Sequence, residues 1–173
     1  MLDGIFKIPF DISNEDRKKC IFDIEKLFED DNWCKDVPYY QTWPLLFERE
    51  EEHWRRLKYR ISLVMTLLNP KIKRIICWSY ASFVGKKGSV GNGWHNHVLG
   101  KENDSVLSCI FYLQTETYYS GTMFDVGDTI VIPKVCTKTL YIYNPTIMHT
   151  PTYWDYENET KNRITLAMDG HCQ

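Results

Sequence analysis

Long apolar runs are what this chain lacks most clearly. No stretch approaches the ~20 consecutive apolar residues needed to span a bilayer as a helix. The N-terminus, Met1-Leu2-Asp3-Gly4-Ile5, has no basic region leading into an apolar segment, so no signal peptide is visible. Net charge is nearly absent as well: 21 Lys and Arg against 23 Asp and Glu leave −2 at neutral pH, which excludes an electrostatic footprint for nucleic acid. The basic groups that do occur, Arg55-Arg56 and Lys71 to Arg74, have acidic runs nearby and read as solvated faces. Six cysteines (20, 34, 77, 109, 136 and 172) are scattered, with no Cys-x-x-Cys pair. Unclustered cysteines on a chain without a leader point to a reducing, cytoplasmic setting in which thiols act as small apolar residues. The sequon Asn158-Glu159-Thr160 is then irrelevant. There is no internal repeat and no low-complexity linker, so the expectation is a single domain over 1–173, large enough to bury a core.

Aromatics, by contrast, are plentiful: 11 Tyr, 8 Phe and 6 Trp suit either a β-rich core or an aromatic-lined pocket. Residues 1–12 read as an edge strand or irregular lead-in. Ser13-Asn14-Glu15-Asp16 then supplies a cap and first-turn acids ahead of Cys20, Ile21, Ile24, Leu27 and Phe28, which predicts a helix over 14–30. Residues 33–44 are aromatic and proline-punctuated, a loop or short extended piece. Trp54, Leu57, Ile61, Met65 and Leu68 recur at helical steps and predict a second helix over 45–68, ended by Asn69-Pro70. From residue 72 the period changes. Strands are expected at 72–84, 106–114, 121–124, 127–133, 139–143 and 163–168. Two helices followed by many short strands imply a mainly β architecture, a β-sandwich or jelly roll packed against N-terminal helices. Residues 1–70 would form the helical support and 72–169 the jelly-roll core.

Trp94-His95-Asn96-His97 is the stretch with chemical content. Two histidines at i and i+2 on an extended segment project to one side of the backbone, so both imidazoles can reach one divalent metal. His149 would add a third ligand from another strand, and three protein ligands leave coordination positions open, the pattern of a catalytic site. Surface histidines are the plain alternative. In Arg163-Ile164-Thr165-Leu166, alternation points Arg163 and Thr165 the same way, inward if Ile164 and Leu166 face the opposite layer. An inward arginine needs an anionic partner, and a carboxylate-bearing ligand bound as a fork, with the Thr165 hydroxyl assisting, would provide it. A surface arginine at a strand start is the competing view. Tyr112 could donate a further hydrogen bond to that ligand or simply pack.

The order His-x-(acid), distal His, then Arg-x-Ser/Thr resembles the Fe(II)- and 2-oxoglutarate-dependent oxygenases. The resemblance runs over about residues 72–169, through Ile76 to Tyr80, Trp94-His95-Asn96-His97, Leu107 to Leu113, Ser120-Gly121, Asn144 to His149 and Arg163 to Met168. These segments look like one compact subfamily whose members include small bacterial and phage proteins related to prolyl hydroxylases. The resemblance implies a double-stranded β-helix holding Fe(II) on His95, His97 and His149, with 2-oxoglutarate as cosubstrate bound through Arg163, Thr165 and Tyr112. Molecular oxygen would drive loss of carbon dioxide, leaving succinate and an oxidant that removes hydrogen from a substrate C–H bond. Peptidyl proline or a small metabolite would be the substrate, with Trp94 and Tyr119 at the rim. Residues 33–43 and the loop from 118 to 136 are the wider candidates for that rim.

One residue departs from the pattern. His97 stands where the family usually has Asp or Glu, so the ligands would be three histidines, unless Glu102 or Asp104 supplies the carboxylate or the protein is catalytically silent. His95-x-His97 followed by Glu102 also resembles the first cupin motif, and 127–133 echoes part of the second. That opens the reading of a three-histidine metal enzyme without 2-oxoglutarate, in which Arg163 has no task. A metal-free β-sandwich binding module is the third reading.

Overall fold

Local signals account for the helices. In the computed structural model, which describes residues 4–31, 40–43, 45–84, 93–97, 105–115, 121–152 and 160–172, the Ser13 side chain caps helix α1 (Asn14–Glu29) by accepting from the Asp16 amide at 3.0 Å. Its Cys20, Ile21 and Ile24 are buried. Helix α2 (Glu52–Leu68) buries Trp54, Leu57, Ile61 and Met65, the positions its periodicity marks. It is shorter than expected. Residues 46–48 form a separate 3-10 turn that buries Leu46 and Phe47, and Leu45 bridges to Cys77. Tertiary contacts therefore hold 45–48 against the core, and extended backbone at Arg49 and Glu51 separates it from α2.

A strand precedes both helices: β1 (Ile5–Pro9). The others are β2 (Tyr40–Gln41), β3 (Arg74–Ser82), β4 (Ser105–Gln114), β5 (Thr122–Asp125), β6 (Ile130–Val131), β7 (Thr139–Tyr143), β8 (Met148–Pro151) and β9 (Arg163–His171). They build two antiparallel sheets, ordered β1-β7-β4-β9-β3-β2 and β6-β5-β8. The expected strand over 127–133 shrinks to two residues. Gly127 at φ +92° and the Val126 amide bonding to the Thr129 carbonyl at 3.1 Å commit the preceding residues to a turn.

Strand alternation assigns the two faces of the larger sheet. Cys77, Cys109, Phe111, Leu140, Ile142, Ile164, Leu166 and Met168 join the helices in one core. Ile110, Tyr112, Tyr141 and Tyr143 face the other way and pack with Phe124 and Val135 of the second layer. The chain is thus mainly β, with helices on the outer face of the larger sheet and a second sheet over its inner face. Among the described residues no helix is long and apolar enough to cross a membrane.

Candidate metal centre

His95 and His149 meet because their backbones do. The His95 amide donates to the His149 carbonyl at 3.0 Å and the His149 amide returns the bond at 2.8 Å, an isolated antiparallel bridge beside β8. Directly paired antiparallel residues carry their side chains on the same face. His97 is two residues on, and its amide donates to the Pro145 carbonyl at 2.9 Å. Pro145 belongs to the Asn144-Pro145-Thr146 turn between β7 and β8, where the Asn144 side chain accepts from the Thr146 amide. One candidate nitrogen from each of the three imidazoles lies within 4.8 Å of the other two.

Each ring has its Nδ1 on an acceptor. His95 Nδ1 lies 2.9 Å from the Gly93 carbonyl and His149 Nδ1 3.1 Å from the Ile147 carbonyl. His97 Nδ1 lies 2.6 and 2.7 Å from the two carboxylate oxygens of Asp169. A carbonyl only accepts, so Nδ1 carries the proton in His95 and His149, which leaves Nε2 with its lone pair; the carboxylate favours the same tautomer in His97. Burial pushes the His149 imidazolium down to about 3, helped by His95 and His97 nearby, and burial lowers His95 as well. Both rings are then neutral donors at physiological pH. Tyr143 Oη, 3.2 Å from His149 Nε2, is held in its phenol form by burial and can donate to that lone pair, a bond that a metal on Nε2 would replace.

The cavity in front of the histidines is lined by Tyr80, Ile110, Tyr112, Gly121, Thr122, Pro151, Arg163 and Thr165 as well. Arg163 is buried, its Nη2 donating to Ser82 Oγ at 3.4 Å. Thr165 donates to the Tyr80 carbonyl at 3.4 Å. Tyr112 shares a 2.7 Å hydrogen bond with Thr122 across the two sheets, and burial pushes its phenol up to about 12, so it stays protonated. Among the described residues lining this cavity, Arg163 is the only one with a fixed charge.

Six of the residues singled out in the sequence therefore share one cavity: His95, His97, His149, Arg163, Thr165 and Tyr112. Trp94 is 43% exposed beside them. Tyr119, Glu102 and Asp104 lie outside the described residues, as does most of the 33–44 segment. Trp43 lines a separate groove with Leu27, Leu45 and Arg49. Sequence reasoning missed Asp169. It ended the last strand at Met168, whereas β9 runs on to His171 and keeps Arg163, Thr165, Ala167 and Asp169 on one face. An acidic residue directly after an apolar alternating run was the available signal.

No family model and no curated protein matches this chain. Solved structures do. A prolyl-4-hydroxylase of Pseudomonas putida aligns with a TM-score of 0.73 at 9% identity, over 97% of this chain and 92% of that one. The epimerase SnoN, solved with Fe3+, α-ketoglutarate and nogalamycin RO, gives 0.74 at 12% identity, over 97% and 78%. The viral collagen prolyl hydroxylase vCPH of Paramecium bursaria Chlorella virus-1 gives 0.58 at 14% identity, over 97% and 89%. At such identities the likeness is one of fold: this chain has the fold shared by prolyl hydroxylases and non-haem α-ketoglutarate-dependent enzymes.

Proposed function

We propose that the chain is an Fe(II)- and 2-oxoglutarate-dependent dioxygenase of the double-stranded β-helix type that hydroxylates a peptidyl proline or a small metabolite. Residues 1–70 would brace the 72–169 jelly roll as part of one cytoplasmic domain. The observation that supports this reading is that His95, His97, His149 and the buried Arg163 line one cavity. The donor set fits the metal. Neutral imidazoles suit a divalent first-row ion, and a metal held by three protein ligands would keep positions open for reactants.

His95, His97 and His149 would hold the iron, which when bound supplies the oxygen activation that no side chain can perform. The remaining work belongs to the chain. Arg163 offers a planar fork to the distal carboxylate of 2-oxoglutarate, with the Thr165 hydroxyl beside it. Tyr112, kept protonated and oriented by Thr122, is a further neutral donor on the same wall. Ile110 and Pro151 add apolar surface that excludes water. Trp94 and Tyr119 would meet the substrate at the rim. The fold relatives include a prolyl-4-hydroxylase and an enzyme solved with a nogalamycin compound, so both peptide and small-molecule substrates are compatible with this scaffold.

The test is an anaerobic titration of the Fe(II)-loaded protein with 2-oxoglutarate, following the weak visible metal-to-ligand charge-transfer band, with Arg163→Ala as control. A band that requires 2-oxoglutarate and fades in the variant is expected. Iron binding without the band would favour a cupin-type three-histidine enzyme. Absence of iron binding would leave the metal-free binding module.

A further inference from the structure

We infer that Asp169 is a positioning residue that supplies, through His97, the negative charge missing from the three-histidine ligand set. The inference rests on the metal-centre reading above and extends it beyond the three ligands. Both carboxylate oxygens of Asp169 lie within 2.7 Å of His97 Nδ1. Ser108, its cross-strand neighbour on β4, donates to Oδ1 at 2.5 Å, and both residues are buried. The carboxylate is therefore aimed rather than free to rotate. His97 is constrained from two more sides, by its amide bond to Pro145 and by the Trp78 ring stacked at 6.2 Å.

Asp169 is well separated from Arg163, the charged residue of the cavity lining. Arg163 stands six residues away along β9, roughly 20 Å at strand spacing. The described bonds of the carboxylate go to His97 and Ser108. A carboxylate bonded to the outer nitrogen of a ligating imidazole makes the inner nitrogen a stronger donor and fixes its tautomer and ring plane. Two histidines and one carboxylate would leave a divalent ion with a net charge of +1. Three neutral histidines leave +2. A buried carboxylate one hydrogen bond behind the third histidine returns the assembly to +1 without occupying a coordination position. The substitution of His for acid at position 97 and the acid at position 169 thus form one device.

The experiment is Co(II) binding to the full chain by visible absorption and calorimetry, together with the Fe(III)/Fe(II) potential, for wild type, Asp169→Asn and Ser108→Ala. Asparagine keeps the shape and can still accept from Nδ1–H, but removes the charge. Asp169→Asn should weaken Co(II) binding about 10- to 100-fold and move the potential positive; Ser108→Ala should do less of both. A second measurement needs no variant. In the Zn(II)-loaded wild type, the His97 Nδ1 proton should resonate furthest downfield of the three, because the other two donate to neutral carbonyls. Wild-type affinity and potential in Asp169→Asn, or a His97 proton indistinguishable from those of His95 and His149, would overturn the inference while leaving the metal centre intact. A wild type that binds neither Co(II) nor Zn(II) would overturn the metal centre itself, and the inference with it.

Discussion

The metal-free protein should lose stability as the pH falls from 7.5 to 5, and His149 should be the main cause. Its ring is 4% exposed, and burial, reinforced by the neighbouring His95 and His97, brings its imidazolium down from 6.5 to about 3. In the unfolded chain it titrates near 6.5. Below that pH the unfolded state takes up a proton that the folded state refuses. The stabilisation is therefore complete above 6.5 and lost progressively as pH falls toward 3. Each pH unit in that window costs about 1.4 kcal/mol, so the interval from 6.5 to 5 costs about 2 kcal/mol, a sizeable share of the 5–15 kcal/mol typical of a domain. Glu15, Asp16 and Glu51 are all lowered in the folded state, with hydrogen bonds to Lys19, Arg56 and Arg49 as the largest cause. They act mainly below the usual carboxylate range, outside the window. The assay is urea denaturation of chelator-treated protein at both pH values, comparing wild type with His149→Asn, whose amide nitrogen can take the place of Nδ1 as donor to the Ile147 carbonyl but cannot titrate. Wild type should lose about 2 kcal/mol more than the variant. Equal losses would mean that His149 is not held neutral by burial, and the electrostatic account of the site would fail with it.

Two further outcomes follow from packing and linkage. A methyl added at Gly121 would sit 2.7 Å from Val135 Cγ1 and 3.1 Å from Cγ2, on a buried side chain branched at Cβ, so Gly121→Ala should cost about 1–3 kcal/mol. At Gly170 the nearest atoms are Ile72 Cδ1 at 2.7 Å and Ile72 Cγ1 and Met65 Cε at 3.1 Å. The closest is a chain end that can turn about χ2, a freedom Val135 lacks, so Gly170→Ala should cost less; calorimetric melting that ranks the two in reverse would refute this. Adding Co(II) at about a hundred times its dissociation constant should stabilise the chelated protein by about 2.7 kcal/mol, and excess chelator should reverse it. An unchanged melting temperature would deny that the histidine cluster binds the ion preferentially in the folded state.

The fold was most readable where interactions are local. Helix α1 begins and ends within a residue of its expected bounds because Ser13 and the acids behind it cap it from within the same turn. Strand β7 has its expected bounds and β4 starts one residue early, their apolar runs reflecting burial on both faces. Legibility failed where a distant partner decides. The 45–51 segment has a helical composition, yet Leu45 pairs with Cys77 and the Lys58 ammonium donates to the Phe47 carbonyl at 2.8 Å, so the turn closes early. The end of β9 extends beyond its apolar run because β3 and β4 both supply ladder partners for Asp169 and Gly170.

The same division holds for the site. By itself the sequence determined which residues could do chemistry. An i, i+2 histidine pair and an alternating Arg-x-Thr constrain side-chain direction through the strand period alone. The tertiary structure decided that these pieces share a cavity, since that depends on backbone bonds between His95 and His149 and on the turn that receives the His97 amide. It also decided the electrostatics. Whether an imidazole is neutral, and whether a carboxylate such as Asp169 stands behind it, depends on burial and on cross-strand register. Neither is a property of any short stretch of chain.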